Sequence, residues 1–170
     1  ADILGGGSQS RLYKELVLGR KLAIEAGAGY SGDAVDLAEF SLYAAPVAGT
    51  DLATLESAID SVLAEIVDKG VTAEELEQAK NNARIQYTYQ FDNQGSLARM
   101  IGVTLVTGGT LDDVRDWINR INRVTPEDVH AVAREVLDLR RSVTATLTPP
   151  PGAAQAQVPQ GSAVAPSQQN

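Results

Sequence analysis

Among 170 residues there is one histidine, His130, and no cysteine. Paired imidazoles, a Ser-His triad or a thiolate centre therefore cannot be assembled from this chain alone. His130 flanks the Val129, Val132 and Val136 stripe of a helical stretch and is expected as a partly exposed helix residue rather than a ligand. The carboxylate pairs Glu74/Glu75 and Asp112/Asp113 fall in first helical turns, where the helix dipole favours negative charge, so they read as caps and not as an acid/base couple. Gly5, Gly6 and Gly7 precede a helix whose free amides suit an anion, but no strand stands before them and no Gly-x-Gly-x-x-Gly or Gly-Lys-Ser/Thr spacing accompanies them. A tight interhelical turn fits them better than a phosphate loop. Trp117, Tyr87, Tyr89 and Phe91 recur at core-like helical spacing, which predicts packing rather than ligand stacking. The remaining candidate is the stretch VLGRKLAI, Val17 to Ile24, where a helix gives way at a glycine to a strand of apolar residues. Such a junction presents side chains.

The elements that must position these residues follow from periodicity. Ser8 is expected to cap a helix running to about Gly19, with Leu12, Leu16 and Tyr13 on its buried side. Leu22, Ile24, Ala26, Ala28 and Tyr30 share a face by period-two alternation, and SGD at 31–33 turns the chain into a second strand from about Leu37 to Ala45. After Pro46 and Gly49, Thr50 or Asp51 starts a helix to about Lys69 with Leu52, Leu55, Ile59, Val62, Leu63 and Ile66 as its stripe. Three Thr-x-x-acid boxes, Thr72/Glu75, Thr110/Asp113 and Thr125/Asp128, mark further helix starts. The first opens a helix predicted to run to Gly108, bent at Gly95; short helices at 111–121 and 126–138 follow, and Val143, Ala145 and Leu147 alternate with threonines as a closing strand. A hairpin followed by a run of helices predicts an α+β fold, a mainly antiparallel sheet with helices packed on one face.

Composition bounds the rest. A net charge of -8 with no lysine/arginine cluster argues against nucleic acid as partner, and the apolar runs are too short for a membrane span. A cysteine-free chain is at home in cytosol or periplasm. Residues 1–149 form one expected domain, and the proline-, glutamine- and alanine-rich 150–170 read as a flexible tail. The first half of the helix ending at Leu4 is expected to lie in an upstream piece that has been removed.

Taken together and in order, ILGGGSQSRLYKEL, VTAEELEQAKNNA, INRVTPEDVHAVAREVLD and the closing SVTATLTP resemble the pitrilysin/insulinase family of zinc peptidases. The likeness is to the C-terminal, non-zinc domain of its bacterial and mitochondrial-processing-peptidase-like members. The resemblance implies a clamshell half facing a second domain that bears an inverted His-x-x-Glu-His zinc motif. The partner is then that zinc-bearing domain, in the same chain or another, giving a dimer of domains that acts on a peptide. Zinc belongs to the partner, and this chain alone is expected to be inactive, with no catalytic residue, metal ligand or cofactor.

In the family, the half resembling this chain supplies an arginine and a tyrosine seven residues apart, in a pattern like Leu-Arg-x-x-x-Gly-Leu-Ala-Tyr, which hold substrate and stabilise the oxyanion. LVLGRKLAI puts Val17 at the arginine position and Ile24 at the tyrosine position, so both donors are gone. Tyr30 lies about 20 Å along the strand and is a poor stand-in. Arg20 sits in the turn, either as a contact for a substrate carbonyl or as an ordinary exposed charge. The expected substrate-binding residues are therefore Gly5, Gly6, Gly7 and Arg20. The same loss fits a structural or assembly protein of the same fold. The resembled domain also begins with a strand that this chain lacks, which leaves a sheet edge for another chain to occupy.

Overall fold

The computed structural model describes residues 1–32 and 34–148. Helix α1 (Asp2–Gly5) leads through the glycines to a π-helix (Tyr13–Gly19), followed by strands β1 (Ala23–Ser31) and β2 (Glu39–Pro46). Helices α2 (Leu52–Lys69), α3 (Ala73–Phe91), α4 (Gln94–Val106), α5 (Leu111–Arg115), α6 (Trp117–Arg123) and α7 (Pro126–Val136) complete the fold. This is the expected α+β architecture, with a two-stranded antiparallel sheet and helices over one face.

The core forms where β1 meets the π-helix and α2. Leu12 and Leu16, four residues apart, are almost wholly buried, and Leu55, Ala58, Val62, Leu63 and Ile66 of α2 complete the contact with Ala23 and Ala26. Each large aliphatic side chain so buried contributes about 1.5–3 kcal/mol. Phe40, Leu42 and Ala44 of β2 reach the same core, and Ala133 of α7 closes it from beyond α2.

Helix starts are where local chemistry dictated the outcome. Thr72, Thr110 and Thr125 each accept the N3 amide at 3.2 Å while the N3 acid takes the Thr amide in return. Asp51 caps α2 by accepting from the Thr54 amide at 3.1 Å.

Several expectations need correcting. The first long helix is capped by Ser10, whose Oγ accepts from the Tyr13 amide and donates to the Gly7 carbonyl, and not by Ser8, which is exposed. Its hydrogen bonds run five residues back, Arg20 N–H to the Glu15 carbonyl at 2.7 Å, so it is a π-helix rather than an α-helix. The helix predicted from Ala73 to Gly108 does not bend at Gly95. It stops at Phe91, and extended Asn93 accepts the Ser96 amide to begin α4, because an asparagine that can cap competes with helix continuation. The stretch expected as one helix at 111–121 divides at Asp116.

Residues 142–148 are not a strand. Among the described residues no segment pairs with them, and without a neighbour the alternating pattern leaves Val143 97% and Leu147 98% exposed. The two sheet strands are joined by 32–38, longer than the turn expected at SGD, whose Asp33 lies outside the described residues. The tail expected at 150–170 also lies outside them.

Candidate functional site

The junction after the π-helix is built by three backbone devices. The Leu22 amide reaches back to the Leu16 carbonyl at 2.8 Å, which closes the last wide turn. Lys21 takes φ 54, the one left-handed non-glycine residue among those described, at the place where a helix usually ends on glycine. The sequence pattern above has its glycine at this same position. Next, Ala23 pairs with Pro46 and Glu25 with Ala45, so Ile24 is the extra residue of a β-bulge. A bulge re-aims a side chain, and here it breaks the period-two alternation. Ala23 turns to the core and Ile24 is left 64% exposed, contrary to the expectation that Ile24 shares the face of Ala26 and Ala28.

The position that the resemblance assigns to tyrosine is thus presented to solvent, while Val17, at the arginine position, stays half-buried against the core. Neither carries a donor. Tyr30 keeps the face expected of it, opposite Phe40 and beside Leu4, but at the rim of that face it is 63% exposed. The exposed side of the sheet does hold one phenol whose relevance sequence reasoning missed. Tyr43, opposite Gly27, lies so close over it that a Cβ on Gly27 would sit 2.6 Å from the ring, and its hydroxyl donates to Glu25 Oε1 at 3.2 Å. The register that brings Tyr43 to Glu25, next to Ile24, depends on the hairpin loop, and nothing local in the sequence announces it.

The glycines lie at the other end of the π-helix. A Cβ on Gly5 would fall 1.9 Å from the Ala28 nitrogen, so this residue lets α1 lie directly on the β1 backbone. Gly6 packs less tightly, a Cβ there falling 2.7 Å from the Asp2 Cα, whereas Gly7 adopts φ +115 with open space around it. Arg20 is half exposed, 3.6 Å from Glu15, and lines a shallow cavity of about 430 Å³ with Leu22, Asp51 and Thr54. None of the glycines lines that cavity, so the four expected substrate-binding residues are not brought together.

His130 is engaged structurally. Its Nε2–H donates to the Val67 carbonyl at 2.8 Å and its ring packs on Gly70, whose φ of +72 ends α2. With that single imidazole committed and no cysteine, the donor set does not fit zinc; among the described residues no three His, Cys, Asp or Glu side chains are grouped to hold a metal. Glu75 does more than cap. Its carboxylate also takes both the Nε and Nη2 of Arg11, and that pairing, ahead of the bonds from Thr72, holds its pKa down to about 2. Arg11 Nη2 donates in addition to the Gly70 carbonyl at 3.0 Å, tying the π-helix to the α2–α3 turn. A separation of 64 positions between Arg11 and Glu75 hid this link from sequence reasoning.

Among the aromatics expected to pack, Tyr87 and Trp117 stack, with centroids 4.9 Å apart and rings 8° from parallel, and Phe91 meets Tyr87 edge to face at 4.9 Å, whereas Tyr89 is exposed. No helix among the described residues is long and apolar enough to cross a membrane.

Residues 1–83 match the family described as the peptidase M16 inactive domain. A Streptomyces coelicolor protein named as an uncharacterized zinc protease is 33% identical over 141 residues, and a Mycobacterium leprae protein of the same description is 30% identical over 137. These stretches cover 83% and 81% of this chain but 30% of each relative, so the chain spans under a third of their length. The fold is shared with the solved M16 inactive domain from Pseudomonas fluorescens, at TM-score 0.72 and 22% identity over 81% of this chain and 32% of that one. It is likewise shared with a Helicobacter pylori protease, at TM-score 0.70 and 22% identity over the same shares.

Proposed function

Carrying the inactive domain of the M16 peptidases in its first 83 residues, this chain is a relative of zinc proteases, and on that premise we propose that it forms the wall of a substrate chamber opposite a zinc-bearing domain. The observation that carries the reading is the match to an inactive domain on a chain whose one histidine is spent on the Val67 carbonyl. Hydrolysis belongs to the partner, which bears His-x-x-Glu-His. This chain contributes by confining a peptide and limiting its orientations, an entropic contribution that needs no donor of its own.

The peptide meets the wall through the backbone around Gly5, Gly6 and Gly7, through Arg20, and over the surface where the bulge sets Ile24. Gly6, Gly7, Arg20 and Ile24 are the exposed members of that set. With Val17 and Ile24 in place of donors, this half leaves the oxyanion to the partner.

Association tests the reading. A zinc-bearing domain encoded upstream or beside this chain, purified and mixed with it, should form a one-to-one complex in light scattering, with zinc in the partner alone. Failure to associate, with no His-x-x-Glu-His frame nearby, would favour the rival supported by the lost donor pair: a structural or assembly protein of the same fold.

A further inference from the structure

A cleft lies among α3, α4, α5 and α6, away from the Val17–Ile24 junction. It measures about 830 Å³, within the range of small-molecule sites. Its apolar side is formed by the stacked Tyr87 and Trp117 with Met100 and Val103, and its polar side by Arg99 and Gln90. The aromatic pair is held in place. The Tyr87 hydroxyl donates to the Val114 carbonyl, and the indole lies parallel to the phenol while remaining partly open to the cleft.

Arg99 is unusual in its surroundings. Among the described residues it is the only arginine with neither a hydrogen bond nor an ion pair, whereas Arg120, in the same cleft, is matched by Asp113 at 3.3 Å. Asp113 in turn is committed to its cap with Thr110. Asp2 also lines the cleft but lies beyond ion-pair distance of Arg99. In a chain of net charge -8, an unanswered guanidinium beside an aromatic platform is set to receive an anion. Its planar fork matches a carboxylate.

We propose that this cleft binds a small organic carboxylate, its apolar or aromatic body against Trp117 and Tyr87 and its carboxylate on Arg99. The same chemistry is offered by a free acid and by the C-terminus of a peptide. The site is independent of the chamber and needs no zinc-bearing partner, so the two readings fail separately.

Trp117 is the only tryptophan, and its fluorescence and single indole N–H resonance report on the cleft. Titrating the full chain with 3-phenylpropionate should give a saturable change in both signals, with a Kd of about 1 mM for a ligand of that size. Its neutral amide should bind at least about tenfold more weakly, because a charge-assisted bond is lost. Arg99→Met should show the same loss; Arg99 is exposed and unbonded, and the parent's near-UV signal from Tyr87 and Trp117 checks the variant's fold. The tripeptide Gly-Gly-Phe, compared with its C-terminal amide, separates the sources: tighter binding than 3-phenylpropionate identifies a peptide terminus, and weaker binding a free acid. Equal binding of acid and amide, an unchanged Kd in Arg99→Met, or no saturable change of either Trp117 signal up to about 20 mM of either acid would overturn the proposal.

Discussion

The guanidinium of Arg11 meets the carboxylate of Glu75 edge to edge, Nε to Oε1 at 2.7 Å and Nη2 to Oε2 at 2.8 Å. Glu75 also caps α3, so one side chain fixes the start of that helix and the angle of the π-helix that leads to Ile24.

The pair should be visible in the pH dependence of stability. Bonding to Arg11 lowers the folded pKa of Glu75 from 4.5 to about 2, so the stability it contributes is present above pH 4.5 and lost as pH falls towards 2. Arg11→Met should cost about 1–3 kcal/mol at pH 7, since it leaves the Gly70 carbonyl and Glu75 short of a donor. The deficit should shrink between pH 4.5 and 2. Urea titrations at both ends of that window check it, and an equal deficit at both would show that the arginine acts by packing alone.

Gly5→Ala should be among the most damaging single-methyl additions in the chain. Its new carbon would stand 1.9 Å from the Ala28 nitrogen and 2.4 Å from the Gly27 carbonyl carbon, and backbone cannot step aside as a side chain can. A loss of about 1–3 kcal/mol is expected, with α1 displaced from β1. Thermal unfolding beside amide exchange at Gly27 and Ala28 measures both; unchanged stability would mean that the approach is looser than described.

Lys21→Gly should stabilise the junction. The left-handed conformation costs an L-residue about 1–2 kcal/mol, part of which glycine gives back through a more flexible unfolded chain, leaving about 0.5–1 kcal/mol in its favour. A rise of a few degrees in Tm is the expected reading. A fall would mean that the lysine side chain makes compensating contacts.

How much of this was legible depended on range. The boxes at Thr72, Thr110 and Thr125 and the α2 stripe from Leu55 to Ile66 could be read because their partners lie three or four residues away. The bulge at Ile24 could not: Leu22, Ile24, Ala26 and Ala28 alternate without a flaw, and only pairing with β2 adds the extra residue. Asn93 carried a usable signal, a capping asparagine inside a helical pattern, but the run of apolar spacing through Leu97 and Ile101 outweighed it. For Val143, Ala145 and Leu147 the pattern is that of a strand and the pairing is what is missing. At the site, the loss of donors at positions 17 and 24 was readable once the resemblance was laid on the sequence. That the bulge still presents position 24 to solvent was not.

That presented position gives the central claim its most direct measurement. Peptide cleavage by the zinc-bearing domain should be measured alone, with this chain, and with Val17→Arg/Ile24→Tyr. Ile24 is 64% exposed, so its replacement should change stability by less than about 0.5 kcal/mol, whereas Val17 packs on the core and its replacement should cost about 1–2 kcal/mol. Unfolding curves therefore come first. This chain should raise the rate by confinement, and the folded double variant should raise it further, by up to about 10²-fold for a restored oxyanion donor. A partner equally active with and without this chain, and unmoved by the double variant, would contradict the chamber wall and leave the scaffold.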